Sequence, residues 1–151
     1  MKKKLFYLMV AVTTLAGFFP GALPDSSPPA ALAVPTIINV PGDYSTIQAA
    51  INAATANATV LVAAGTYNED ITLKDGVNLQ GSGAAVTTIN GTGVASFAVQ
   101  ASSLSLPTFL DGFTIRASGG TGKGGLNING SSPFILSHST VTGTGGTMYV
   151  A

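Results

Sequence analysis

The feature that most constrains this chain is an internal period. Thr88-Ile89, Thr114-Ile115 and Thr140-Val141 recur every 26 residues, and Leu110 and Leu136 repeat with the same step. A second series, Ile71, Phe97, Leu126 and Met148, advances by 26, 29 and 22 residues, as it would if insertions entered loops while strands kept their places. Short β-branched and aromatic runs at 59–62, 71–73, 77–79, 87–89, 97–99, 113–115, 126–128, 139–141 and 148–150 are broken by Gly, Ser and Asn. These are strand and turn signals. A chain that returns to an equivalent place every 22 to 29 residues winds a coil. Each strand then pairs in parallel with its equivalent one turn later, about 4.8 Å away. An antiparallel sandwich also has many short strands, but its hairpins need not recur in phase. The period therefore predicts an all-β, right-handed parallel β-helix. Alternation sends Thr87, Ile89, Phe113, Ile115, Ser139 and Val141 inward and leaves Thr88, Thr114 and Thr140 as an outward ladder.

The first coil would expose an apolar end and unpaired backbone groups. Ser45-Thr46-Ile47-Gln48 reads as a capping box, with Ser45 accepting from the Gln48 N–H while Gln48 reaches back. Ile47, Ala50, Ile51 and Ala54 follow at helical spacing. A short helix over 46–55 is the expected lid.

Only 8% of the 151 residues are charged, against about a quarter in ordinary globular chains. Solubility must therefore come from Ser, Thr, Asn and exposed backbone. Beyond residue 4 the basic side chains are Lys74, Arg116 and Lys123, too few for the basic stripe that nucleic-acid binding requires. The lack of Cys excludes a disulfide scaffold, a thiolate zinc site and a cysteine nucleophile. Lys2, Lys3 and Lys4 precede an apolar run over 5–19, and Ala31-Leu32-Ala33 supplies a small-x-small cleavage pattern. Residues 1–33 thus read as a secretory signal peptide, because the apolar run is shorter than the roughly 20 residues that span a bilayer. The expected mature domain is 34–151, secreted or at the cell surface, with no membrane span after cleavage.

The segment Asp43-Tyr44-Ser45-Thr46-Ile47-Gln48-Ala49-Ala50-Ile51, followed by Val60-Leu61-Val62-Ala63-Ala64-Gly65-Thr66-Tyr67-Asn68-Glu69, resembles the opening of parallel β-helix proteins of the pectin-lyase-like superfamily, pectin methylesterases among them. Residues 124–133 and 137–143 resemble the generic β-helix repeat of exported and surface proteins. The resemblance covers roughly 40–151 and implies a polysaccharide partner bound, cleaved or de-esterified along the coil flank. Fold analogy of this kind is associational. Where the esterases place their first catalytic Gln, this chain has Lys123-Gly124-Gly125-Leu126, and no Asp or Glu follows Asp111. The two carboxylates that such chemistry uses as nucleophile or base and as acid are therefore not both supplied.

The candidate binding residues are Tyr67, Asp111 and Arg116. Tyr67 is the best exposed sugar-stacking candidate among Tyr44, Tyr67, Phe97, Phe109, Phe113 and Phe134, with Phe97 and Phe113 assigned to the core. Arg116 takes the coil position of Asn90 and Thr142 and could grip a carboxylated sugar with its planar fork. Asp111 is expected to face Ser137 on one neighbouring coil and Ala85 on the other. His138, alone and with no carboxylate close in sequence, reads as a turn or ladder residue. No cofactor is expected; the alternative is a calcium ion held by Glu69, Asp70 and Asp75, which otherwise read as solvated turn residues. Residues 145–151 begin a strand with no cap after it, so the chain is expected to be the N-terminal part of a longer protein or to associate end to end through an open C-terminal rung. The expected function is carbohydrate-associated binding or surface scaffolding without a complete active site. Its alternative is the N-terminal part of a polysaccharide lyase or pectin esterase.

Overall fold

The computed structural model describes residues 35–93, 95, 97–117, 124–130, 133–143 and 148–150; the expected leader and Lys123 lie outside them. The elements run β1 (Ile37–Val40), α1 (Ile47–Ala53), β2 (Thr59–Val62), β3 (Gly65–Asn68), β4 (Ile71–Thr72), β5 (Asn78–Gly81), β6 (Thr87–Asn90), β7 (Phe97–Ser102), β8 (Thr108–Asp111), β9 (Thr114–Arg116), β10 (Gly124–Asn129), β11 (Phe134–Ser137), β12 (Thr140–Thr142) and β13 (Met148–Val150). They form three sheets, ordered β1-β2-β5-β8-β11, β3-β6-β9-β12 and β4-β7-β10-β13. Every pairing is parallel. From β2 onward the chain visits the three sheets in turn and then starts again one rung further along. This is a parallel β-helix.

The interior is a set of stacked columns. Ile38, Val60, Leu79, Leu110 and Leu136 lie in register along the first sheet. Tyr67, Ile89, Ile115 and Val141 do so along the second. Ile71, Val99 and Leu126 do so along the third. Ile89, Leu110, Phe113, Ile115 and Leu126 are all 0% exposed. Burying side chains of this size contributes roughly 1.5–3 kcal/mol each. Two polar side chains join them without leaving a group unpaired. Thr87 accepts from the Ser82 N–H, and Thr108 accepts from the Gly76 N–H while donating to the Leu106 carbonyl.

Val99, not Phe97, stacks between Ile71 and Leu126. β7 begins two residues before that rung, so Phe97 lies ahead of the partner of Ile71 and in register with Gly124 instead. Phe97 is half-buried, and the three residues after Val99 extend the strand to Ser102. β3, β8 and β11 fall in segments read as turns, because Gly, Asn, Asp and Ser at their ends mask the strand signal. The expected Thr ladder gains a fourth member, Thr66, in register with Thr88.

The lid is present but capped differently from the expected box. Thr46, one residue later than Ser45, is the N-cap and accepts from the Ala49 N–H. Gln48 reaches across to the next coil, accepting from the Thr72 N–H at 2.7 Å. The Ile47 and Gln48 N–H groups donate to the two carboxylate oxygens of Glu69, each at 2.9 Å. At the other end Lys74 Nζ donates to the Asn52 and Ala54 carbonyls. Opposite charges at opposite ends complement the helix dipole. Ile47, Ala50 and Ile51 are buried beneath.

Where coils turn from the first sheet to the second, backbones touch. A Cβ at Gly81 would stand 2.5 Å from the Gly112 carbonyl oxygen and 3.2 Å from the Phe113 ring. Gly112 itself has φ +77°, in the left-handed region that favours glycine.

Candidate functional site

Outward alternation along the first sheet puts Asn39, Leu61, Gln80, Asp111 and Ser137 in one column, one residue per rung. Asn39, Leu61 and Gln80, with Pro41, Ala63 and Ser82 along the adjoining corner, line an open groove of ≈ 520 Å³. The column continues past the groove onto Asp111 and Ser137. Beside it on the same face, Phe109 and Ile135 are 40% and 47% exposed, and the Phe109 N–H donates to the Asn78 side chain.

Asp111 is the most engaged outward side chain of this column. Its Oδ1 accepts from Ser137 Oγ and from His138 Nδ1, both at 2.7 Å. An ionised carboxylate can only accept, so Nδ1 carries the proton and Nε2 faces away. These two bonds, His138 first and Ser137 second, hold the Asp111 carboxyl below its ordinary value. His138 has φ 43°, a left-handed conformation that is uncommon outside glycine. Its neighbour Ser139 steadies the corner by accepting from the Phe113 N–H and donating to the Ser137 carbonyl.

The depressed carboxyl has a stability consequence with a definite sign. A group more acidic in the folded than in the unfolded chain stabilises the fold above the unfolded value, and that stability is lost as pH falls through the folded one. Asp43, held low by the backbone and side-chain N–H groups of Asn39, acts in the same direction. Urea midpoints are therefore expected to fall as pH drops below 3.8, the ordinary carboxyl value for both residues. The Asp43→Asn/Asp111→Asn double variant should show a shallower decline over the same range.

The structure does not bring Tyr67, Asp111 and Arg116 together. Tyr67 sits on the inward column of the second sheet, half-buried, with its hydroxyl donating to the Ala63 carbonyl. Burial, then the Glu69 charge, push its phenol up. It contributes packing where the sequence suggested an open stacking surface. Arg116 lies in register with Asn90 and Thr142, as expected, on the outward face of that sheet. That face carries two polar columns, Thr66-Thr88-Thr114-Thr140 and Asn68-Asn90-Arg116-Thr142, and Asn90 donates to Asn68 at 2.7 Å.

Asp111 faces Ser137 as expected, but its other neighbour is Gln80 and not Ala85. Residues 82–86 form a corner loop between β5 and β6, outside the strand ladders. His138, read as a turn or ladder residue without a carboxylate close in sequence, pairs with Asp111 from the preceding coil. The signal was the period itself, since whatever places Ser137 over Asp111 places His138 beside it.

Glu69, Asp70 and Asp75 do not share one site. Glu69 holds the lid. Asp70 accepts from the Thr92 hydroxyl, the Thr92 N–H and the Ala95 N–H. Asp75 accepts from the Ser105 and Leu106 N–H groups. Among the described residues no group of three or more His, Asp or Glu side chains converges, and no helix is long and apolar enough to cross a membrane.

No protein-family model matches the sequence, and no curated protein is detectably similar to it. Solved structures do match. A pectin methylesterase from carrot superposes with a TM-score of 0.64 at 19% identity, over 78% of this chain and 43% of that one. Pectin methylesterase PemA from Erwinia chrysanthemi superposes with a TM-score of 0.61 at 18% identity, over 76% of this chain and 45% of that one. The chain thus spans less than half the length of either enzyme. Three parallel sheets wound about one stacked interior, and the likeness of that winding to these two proteins, make this chain a parallel β-helix of the pectin-lyase-like fold.

Proposed function

We propose that this is an exported carbohydrate-binding β-helix, and that a polysaccharide lies along the helix axis in the trough formed by Asn39, Leu61, Gln80, Asp111 and Ser137. The observation that carries this reading is the continuity of the groove with the Asp111–Ser137–His138 cluster on one outward column. An extended glycan meets the same kind of surface at each rung, about 4.8 Å apart. Amide, carboxylate and hydroxyl groups supply donors and acceptors for sugar hydroxyls. Phe109, on the same face, supplies an apolar ring for the C–H side of a pyranose.

Affinity electrophoresis of the purified chain in gels containing soluble polysaccharides, with and without Ca²⁺, tests the reading. Retention without turnover is expected, weakened about tenfold by Gln80→Ala combined with Phe109→Ala, as loss of a few interface contacts would produce. Equal migration in every gel would overturn it. The second reading, favoured by the esterase neighbours, is that these coils belong to a longer polysaccharide esterase or lyase. Turnover abolished by Asp111→Asn or by Arg116→Ala would establish that reading instead.

A further inference from the structure

We infer that the trough selects neutral glycans over polyuronates, and that the open oxygen of Asp111 is the selecting atom. The inference rests on the trough being the binding surface. Both hydrogen bonds to Asp111 fall on Oδ1. They leave Oδ2 with no hydrogen bond among the described residues, on a side chain of the outward column that is 33% exposed. An acceptor already held in place by its protein partners loses little freedom when a ligand arrives.

The neighbour along the column is Gln80, one rung away and exposed, an amide that both donates and accepts. A carboxylate oxygen that only accepts and an amide that can do either match a pair of sugar hydroxyls, one donating to Oδ2 and the other free to bond Gln80. A sugar carboxylate at the same place brings a second acceptor-only anion against the first. Like charges about 4 Å apart repel by about 1 kcal/mol in water and by several-fold more where solvent is partly excluded.

The other side chains along the trough are Asn39, Leu61, Ser82 and Ser137, all uncharged. Two titratable groups adjoin the trough: Asp43, bonded to Asn39, adds a second carboxylate at the far end, and His138 lies beside Asp111. Its Nδ1–H is turned onto Asp111 and away from a ligand, and in the neutral ring the outward Nε2 is one more acceptor. Arg116, the cation best suited to a uronate, lies on the outward face of the second sheet, not on this column. The exposed faces of Phe109 and Ile135 complete a surface suited to an uncharged polyol with apolar C–H patches.

The test compares retention of the purified full chain on a soluble neutral galactan and on polygalacturonate, at neutral pH and low ionic strength. Galactan is expected to bind at least about tenfold more tightly, the scale of one like-charge contact. The Asp111→Asn variant keeps an acceptor for Ser137 and His138 while removing the charge, and should raise polygalacturonate binding so that the two affinities converge. Added salt should narrow the wild-type gap for the same reason. Polygalacturonate binding as tightly as galactan would overturn the selectivity while leaving the trough intact. A preference unchanged in Asp111→Asn would overturn the role given to that carboxylate. Failure of both glycans to bind would overturn the trough reading itself. Unchanged far-ultraviolet circular dichroism in the variant separates these outcomes from unfolding.

Discussion

Replacing Phe113 by Ala is expected to destabilise the chain by about 3–5 kcal/mol, the range for removing a fully buried aromatic side chain. Phe113 is 0% exposed and its ring packs against Gly81 one coil away. It fills the corner between the first and second sheets, where the backbone is too closely apposed to move in and close the gap. A stiff wall leaves most of the cavity open, so the cost should fall near the upper end of the range. Urea denaturation followed by circular dichroism measures it. A loss below about 1.5 kcal/mol would mean that the corner collapses and that the contact of Gly81 with Gly112 is less rigid than described.

The second large effect concerns the lid. Glu69→Ala removes the acceptor for two helix N–H groups at once, and a loss of about 2–3 kcal/mol is expected, since hydrogen bonds to a charged group contribute more than neutral ones. Glu69→Gln retains one acceptor and should lose about half as much on the same principle. Hydrogen exchange at Ala50, whose N–H bonds the Thr46 carbonyl, should accelerate in both variants more than exchange at Ile115. Equal acceleration at the two sites would show that the lid and the coils unfold as one unit, and that α1 has no separate opening step.

Most of the architecture was legible because stacking converts spacing into position. Ile89, Ile115 and Val141 share a column because the two intervening coils have equal lengths. Thr66 escaped because the coil before Thr88 is shorter, and because Gly65 and Asn68 are poor strand formers in isolation. Gln80 escaped for the opposite reason: the 82–86 loop lengthens its coil, so a constant step lands on Ala85.

The candidate site was half legible. Asp111 was singled out, but its partner His138 was discounted for want of a carboxylate nearby in sequence, although one winding is the shortest route between neighbours in such a fold. Tyr67 was misjudged because an aromatic in a polar run looks exposed, whereas period-two alternation through Thr66 and Asn68 turns it inward. Glu69 gave no sign of its role, because the helix N–H groups it meets lie 21 and 22 residues earlier.

The corner loops carry a consequence for how such a molecule can change. Residues 82–86 form the corner between β5 and β6, with the Ala84 carbonyl accepting from the Thr114 hydroxyl and the Val86 carbonyl from the Gly65 N–H, while the rungs on either side stay in register. Length added at a corner is therefore mechanically silent to the ladders, and the outer face behaves like a ruler whose graduations do not shift when material is attached at its edge. Grafted corner segments could tune what overhangs the trough, while duplicating a whole winding would lengthen the ruler by one mark.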